Sequence, residues 1–334
     1  MPSKNHRGLA RLSLAVVTVV GGLALLGTAH AATTLKFAHF AAESHPAHIA
    51  ALQFKKNVES RTDGEVRIEL YPANQLGSPP DQLEQTTVGV IDMNLPTQGG
   101  LDKYEKAFAT VMTPYAFADY AQAHRVLDGP FHDWVAPRLE KKGLVLLSTW
   151  EYGFRHVTNS KRPINGPEDM KGLRLRTPPE LQIIAALEAT GASTTQIAFP
   201  ELSAALNQGV VDGQENPIGV TYHFKLFEVQ KHLALTRHVY NSMTHVISQS
   251  SWKKLTPAQQ SVLREESRTS RDLMRKLVAD QETAEIAKME AAGVAVTRPD
   301  IAKFRALMQP AYERVGAYAG KDNMKTFLDM LSAK

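Results

Sequence analysis

The stretch TLKFAH (residues 34–39), the turn Ser44-His45-Pro46 and the run EVRIEL (residues 65–70) decide how this chain folds. Both outer runs place apolar residues at alternate positions, the period of a half-buried strand. Between them Ala50, Phe54 and Val58 recur every fourth residue, the spacing of one helix face, and Asp63-Gly64 stops the helix. Strand, helix and strand in so short a span make a βαβ unit, which predicts a parallel sheet.

The theme continues along the chain. Ser78-Pro79-Pro80-Asp81 predicts a helix start with proline at its first position, Gly89 closes that helix, and residues 90–95 read as a strand. Helices are predicted over 121–127 and 134–142, and strands over 144–148 and 154–158. Beyond the link through Pro163 and Pro167, Leu173-Arg-Leu-Arg176 reads as a short strand feeding a helix over 181–189. Alternating strands and helices over this length mean an α/β fold. The final third differs: Thr256-Pro257-Ala258-Gln259 is a capping box opening a run free of Gly and Pro until Gly293. That predicts one helix of about 36 residues, roughly 55 Å long at 1.5 Å per residue.

The amino terminus has a different character. Lys4, Arg7 and Arg11 precede an apolar run from Leu12 to Gly27 that ends in Ala29-His30-Ala31. A basic region, an apolar region and an A-x-A site describe a secretory signal peptide over residues 1–31, cut after Ala31. The apolar run is shorter than the ~20 residues of a spanning helix. The leader holds three of the 38 Lys and Arg and none of the 34 Asp and Glu, leaving 35 cations against 34 anions. No basic footprint suited to nucleic acid remains. The chain has no cysteine, so thiol catalysis, cysteine metal sites and a disulfide framework are excluded. Residues 32–334 suffice for two domains of ordinary size.

Catalytic strings are missing. There is no G-x-S-x-G, no G-x-x-x-x-G-K-[ST], no G-x-G-x-x-G and no H-E-x-x-H. His39, His45 and His48 match no standard metal spacing and read as surface or helix-start histidines. Neither a cofactor nor a metal is called for.

Five strings carry a family signal: Tyr71-Pro-Ala-Asn-Gln-Leu-Gly77, Gly89-Val-Ile-Asp-Met93, Gly153-Phe-Arg-His-Val-Thr-Asn159, Lys171-Gly-Leu-Arg-Leu-Arg176, and residues 199–217, FPELSAALNQGVVDGQENP. In these the chain resembles the solute-binding components of tripartite ATP-independent periplasmic (TRAP) transporters, the DctP-type proteins. The strings occur in the family's order over essentially all of residues 32–334. The resemblance implies a two-lobed periplasmic-binding-protein fold with crossover hinge strands near residues 152 and 240. One lobe is expected over 32–152 plus 241–281, the other over 153–240 plus 282–334, with the long helix bracing both. It also implies no enzymatic reaction. The chain is expected to be a periplasmic monomer that takes a small organic acid from solution and delivers it to the small and large integral-membrane permease subunits. Two other readings stand beside it: a binding protein serving an ATP-driven importer or a sensor kinase, and a periplasmic enzyme acting on an organic acid.

Residue by residue, the resemblance makes Arg176 the carboxylate clamp, Asn216 a second bond to the same group, Phe199 a ring packed on the ligand, and Arg155 an additional cation used by some members. The chemistry agrees for Arg176. In open α/β sheets ligands bind outside the carboxyl ends of the strands, and a guanidinium there pairs two donors with both oxygens of a carboxylate. Arg174, nearer the strand start, reads as a surface or interdomain ion pair. Glu215 is set aside, because a buried carboxylate would repel an anionic ligand. Phe40 and Gln98, each just after a predicted strand, are candidate walls from the other lobe. The leader reading makes a direct prediction: mass spectrometry of protein recovered from the periplasm finds an amino terminus at Ala32, and product retaining residues 4–31 refutes secretion.

Overall fold

A computed structural model describes residues 32–333; the leader expected over residues 1–31 lies outside the described residues. Ten strands form the frame: β1 Thr33–Ala38, β2 Val66–Tyr71, β3 Met93–Asn94, β4 Leu144–Asn159, β5 Arg174–Thr177, β6 Ser193–Gln196, β7 Gly213–Pro217, β8 His232–Ala234, β9 Tyr240–Ser248 and β10 Ala295–Thr297. Their order is β2-β1-β3-β9-β4-β7-β5-β6, with β8 joining β4 to β10. The βαβ reading of the opening stretch holds: β1 and β2 pair in parallel across the helix Pro46–Arg61.

Two halves share one strand. From Leu144 to Phe154, β4 pairs antiparallel with β9 in the first half; from Arg155 to Asn159 it pairs with β7 and β8 in the second. The sequence reading breaks this strand into 144–148 and 154–158. The structure corrects that to one strand of 16 residues, all buried. Both faces are covered, so apolar alternation, which needs one wet face, disappears from the middle of the strand. Val145 and Leu147 enter the core that holds Phe37, Phe54 and Trp150, whereas Leu144 and Leu146 enter the one with Phe108, Phe131 and Val246.

The long helix runs over Pro257–Ala291, 35 residues, and its start is the capping box read from sequence: Thr256 accepts from the Gln259 amide and Gln259 accepts from the Thr256 amide. It touches both halves. Glu266 accepts from Asn57 and Arg61 of the first-half helix, the Ser267 carbonyl accepts from Ser148 on β4, and Met289 packs with Ile218 and Leu233 of the second half.

Three further sequence expectations change. The lobe boundary that gives 282–334 to the second half fails at the end, because the helix Lys321–Ser332 inserts Phe327 between Phe117 and Phe131 of the first-half core. The parallel sheet is mixed, since β4 and β9 run antiparallel to their neighbours. His39, His45 and His48 are buried rather than on the surface; His45 does cap the helix start, and the His39 and His48 rings meet at 3.2 Å. Burial holds His39 down at about 3, with His48 adding to the effect, so this pair is a neutral hydrogen bond. Among the described residues no helix is long and apolar enough to cross a membrane.

The crossing in β4 depends on one glycine. A register shift falls between Glu151 and Gly153, and Gly153 has φ 114°, a conformation that residues with a Cβ rarely adopt. A Cβ there would also lie 3.3 Å from the Tyr120 hydroxyl. Gly153→Ala is expected to destabilise the protein by about 1–3 kcal/mol, read as a lower melting temperature; an unchanged melt refutes the strained crossing.

Candidate ligand-binding cleft

Between the two halves lies a cavity of about 370 Å³, and the crossing strand brings its wall residues together. Arg176 sits near the carboxyl end of β5, where the parallel pairing with β6 and β7 stops and the Pro178–Pro179 turn begins. Its Nε donates to the Ile197 carbonyl at 2.8 Å, which fixes the guanidinium plane. The residue is only 2% exposed, and among the described residues no acidic side chain forms an ion pair with it. Burial lowers its pKa to about 10, against the pull of Glu215. The result is a desolvated cation with donors to offer.

Arg174, two residues earlier, has a different fate. It is half exposed, pairs with Asp212 at 2.8 Å, and donates to the Gly209 and Val210 carbonyls. The expected surface ion pair is there, and it locks the turn before β7.

Arg155 opens the second-half portion of β4, and Glu215 and Asn216 follow on the antiparallel partner β7. The Arg155 Nε and Nη2 donate to the two Glu215 oxygens at 2.5 and 2.7 Å, and Nη2 reaches Asn216 Oδ1 at 3.0 Å. His238 adds a contact to Glu215 at 3.2 Å. Burial alone would raise the Glu215 pKa, yet the guanidinium beside it wins and holds the carboxyl below its usual value. The sequence reading set Glu215 aside on repulsion. The structure shows why a carboxylate is tolerated: it is matched by Arg155 before any ligand arrives.

Aromatic rings close the sides. Phe40 of the first half meets Phe199 of the second edge to face, with centroids 5.8 Å apart, and also meets Tyr152 at 5.1 Å. The Phe199 centroid lies 5.8 Å from the Arg176 guanidinium carbon. Of the six residues singled out from sequence, Arg176, Asn216, Arg155, Phe199 and Phe40 line the cavity. Gln98 does not. It starts the short helix Gln98–Leu101, is fully buried, and donates to Ser242 on β9, because the turn at Pro96-Thr97 carries its side chain behind the wall. Sequence reasoning missed Thr97, Tyr152 and Glu180. Glu180 accepts from the Thr97 hydroxyl at 2.5 Å, joining the two halves, and burial raises its pKa. Its only signal in the sequence was its place just after the β5 motif. Among the described residues no cluster of His, Asp and Glu is arranged to hold a metal.

The architecture has relatives. Residues 37–318 match the family model described as bacterial extracellular solute-binding protein, family 7, the DctP model. This chain belongs to that family. The 2,3-diketo-L-gulonate-binding periplasmic protein YiaO of Escherichia coli K12 is 35% identical over 285 residues, 85% of this chain and 87% of its own length. A TRAP periplasmic solute-binding protein from Polaromonas sp. JS666, bound to D-erythronate, superposes with a TM-score of 0.86 at 33% identity, covering 90% of this chain and 99% of its own. Another, from Sulfitobacter sp. NAS-14.1 with bound β-D-galacturonate, has a TM-score of 0.86 at 30% identity and the same coverage. The chain is therefore a two-lobed α/β solute-binding protein of the TRAP type.

The Arg155–Glu215 pair is buried on both sides, so removing one partner strands the other. Glu215→Ala is expected to lower stability by about 3–5 kcal/mol in denaturant titration. Arg174→Ala, at a half-exposed pair, should change it far less. Equal effects refute the structural ranking of the two pairs.

Proposed function

We propose that this protein binds a small organic acid in the cleft between its lobes, with Arg176 as the carboxylate clamp, and hands it to the membrane subunits of a TRAP transporter. The observation carrying this reading is the buried guanidinium of Arg176, which lines a cavity of about 370 Å³ with no acidic partner among the described residues. A buried charge is normally paired or hydrogen-bonded throughout, so an unmatched one on a cavity wall points to an anionic ligand. The acids bound by the relatives support the class. Asn216, on the same cavity wall, donates its remaining amide N–H to the ligand, while Phe199 and Phe40 cover the apolar face of the ligand. Arg155 acts chiefly through Glu215 and Asn216, holding the amide in place.

The lobes proposed are 32–152 with 241–281, and 153–240 with 282–320, the terminal helix belonging to the first. Binding would draw them together about β4 and β9, as in hinge closure around ligands. The mature chain would work in the periplasm as a monomer, after the leader is cut behind Ala31. No chemical step is required.

Calorimetric titration of wild type, Arg176→Ala, Arg176→Lys and Arg174→Ala with a ligand found by thermal-shift screening of organic acids tests the clamp. Truncating Arg176 is expected to weaken binding by about 2–5 kcal/mol, roughly 30-fold to several thousand-fold. Arg176→Lys loses the planar fork and should also bind poorly. The melting temperature of Arg176→Ala should hold or rise, since the variant removes an unmatched buried charge. Affinity lost at Arg174 but kept at Arg176 refutes the assignment.

A further inference from the structure

The cleft's charges are unevenly matched, and this limits which acid fits. The inference rests on the reading that a carboxylate docks at Arg176. Arg155, the other buried cation of the wall, already has both Glu215 oxygens. The buried Glu180 also lines the cavity. Its Oε1 takes the Thr97 hydroxyl, whereas its Oε2 is buried with no hydrogen-bond partner. That carboxyl fits only because residue 99 is glycine: a Cβ there would lie 2.8 Å from the Glu180 Cδ. Two further charged side chains line the cavity, Lys103 and Glu84, both exposed and of opposite sign. Exposed charges are screened by water and contribute little.

We propose that the cleft selects a monocarboxylate with an uncharged, hydroxylated remainder, and that Glu180 excludes a second carboxylate. One carboxylate takes Arg176. A second, within the same cavity, finds no unmatched buried cation among the described residues and lies against a wall that includes the buried Glu180. Desolvating an anion without a partner is strongly unfavourable, and like charges facing each other across an interface add to the penalty. A hydroxyl in that place carries no charge and escapes both penalties. Burial raises the Glu180 pKa against the pull of Arg155 and the Thr97 hydroxyl, and a second anion would add to that rise and so to the cost of binding it.

The test uses pairs of acids that differ only at the far end, where one has CH2OH and the other a second carboxylate: D-erythronate and meso-tartrate, D-gluconate and glucarate, D-galactonate and galactarate. In calorimetry with the mature wild-type protein at neutral pH, each monoacid that binds is expected to do so at least about ten-fold more tightly than its diacid. Glu180→Gln keeps the shape without the charge and should narrow that ratio by about ten-fold. Equal affinity within a pair, or preference for the diacid, overturns the proposal in wild type, whatever the variant's fold. An unchanged ratio in a folded Glu180→Gln overturns the assignment to Glu180. If a diacid is preferred and still needs Arg176, the clamp stands and only this inference fails. Failure of every acid in the panel and in a wider organic-acid library removes the carboxylate reading itself, and this inference with it.

Discussion

β4 is the constraint on which the rest of the molecule depends. A strand buried along all 16 residues must meet its polar groups internally; His156 Nε2 and Asn159 Nδ2 are left without a hydrogen-bond partner, and others are met differently in each half. In the first half Ser148 bonds Ser267 of the long helix, the Trp150 indole bonds Ser148, and Glu151 meets His124 at 2.6 Å. Past Gly153, Arg155 meets Glu215 and Thr158 takes a hydrogen bond from Gln214. These partners lie on different elements, so the strand's polar groups hold the long helix, β7 and the first-half helices in register with one another.

The three arginines near the cleft show how burial and pairing together decide what a charge does. Arg174 is half exposed and matched, and braces a turn. Arg155 is buried and matched, and it holds Glu215 and Asn216 in place. Arg176 is buried and unmatched by any acid among the described residues, which makes it the group with most to gain from an anion. Arg174 and Arg176 lie on the same face of one short strand, and differ because β5 carries one to the sheet's outer end and the other to the cavity.

Much of the cavity wall was legible in the strings around Arg155, Arg176, Phe199 and Asn216, because each string sets its own strand end or turn locally. Glu215 and Glu180 were not legible as they stand. Glu215 looked repulsive in isolation, and only the antiparallel register of β4 with β7 brings Arg155 beside it. Glu180 gains its place from Thr97 and Gly99, some 80 residues away in sequence and in the other half. Gln98 was misplaced for the complementary reason: following a predicted strand says nothing about which way a four-residue helix turns its first side chain.

By itself the sequence determined the α/β class, the opening βαβ unit, the capped long helix and the arginine motif of β5, since each follows from periodicity or pairing within a few residues. Tertiary structure decided that residues 144–159 are one strand, that the last helix returns to the first half through Phe327, and which arginine keeps its charge unmatched. Those outcomes depend on burial from both faces and on partners distant in the chain, and neither leaves a local period to read.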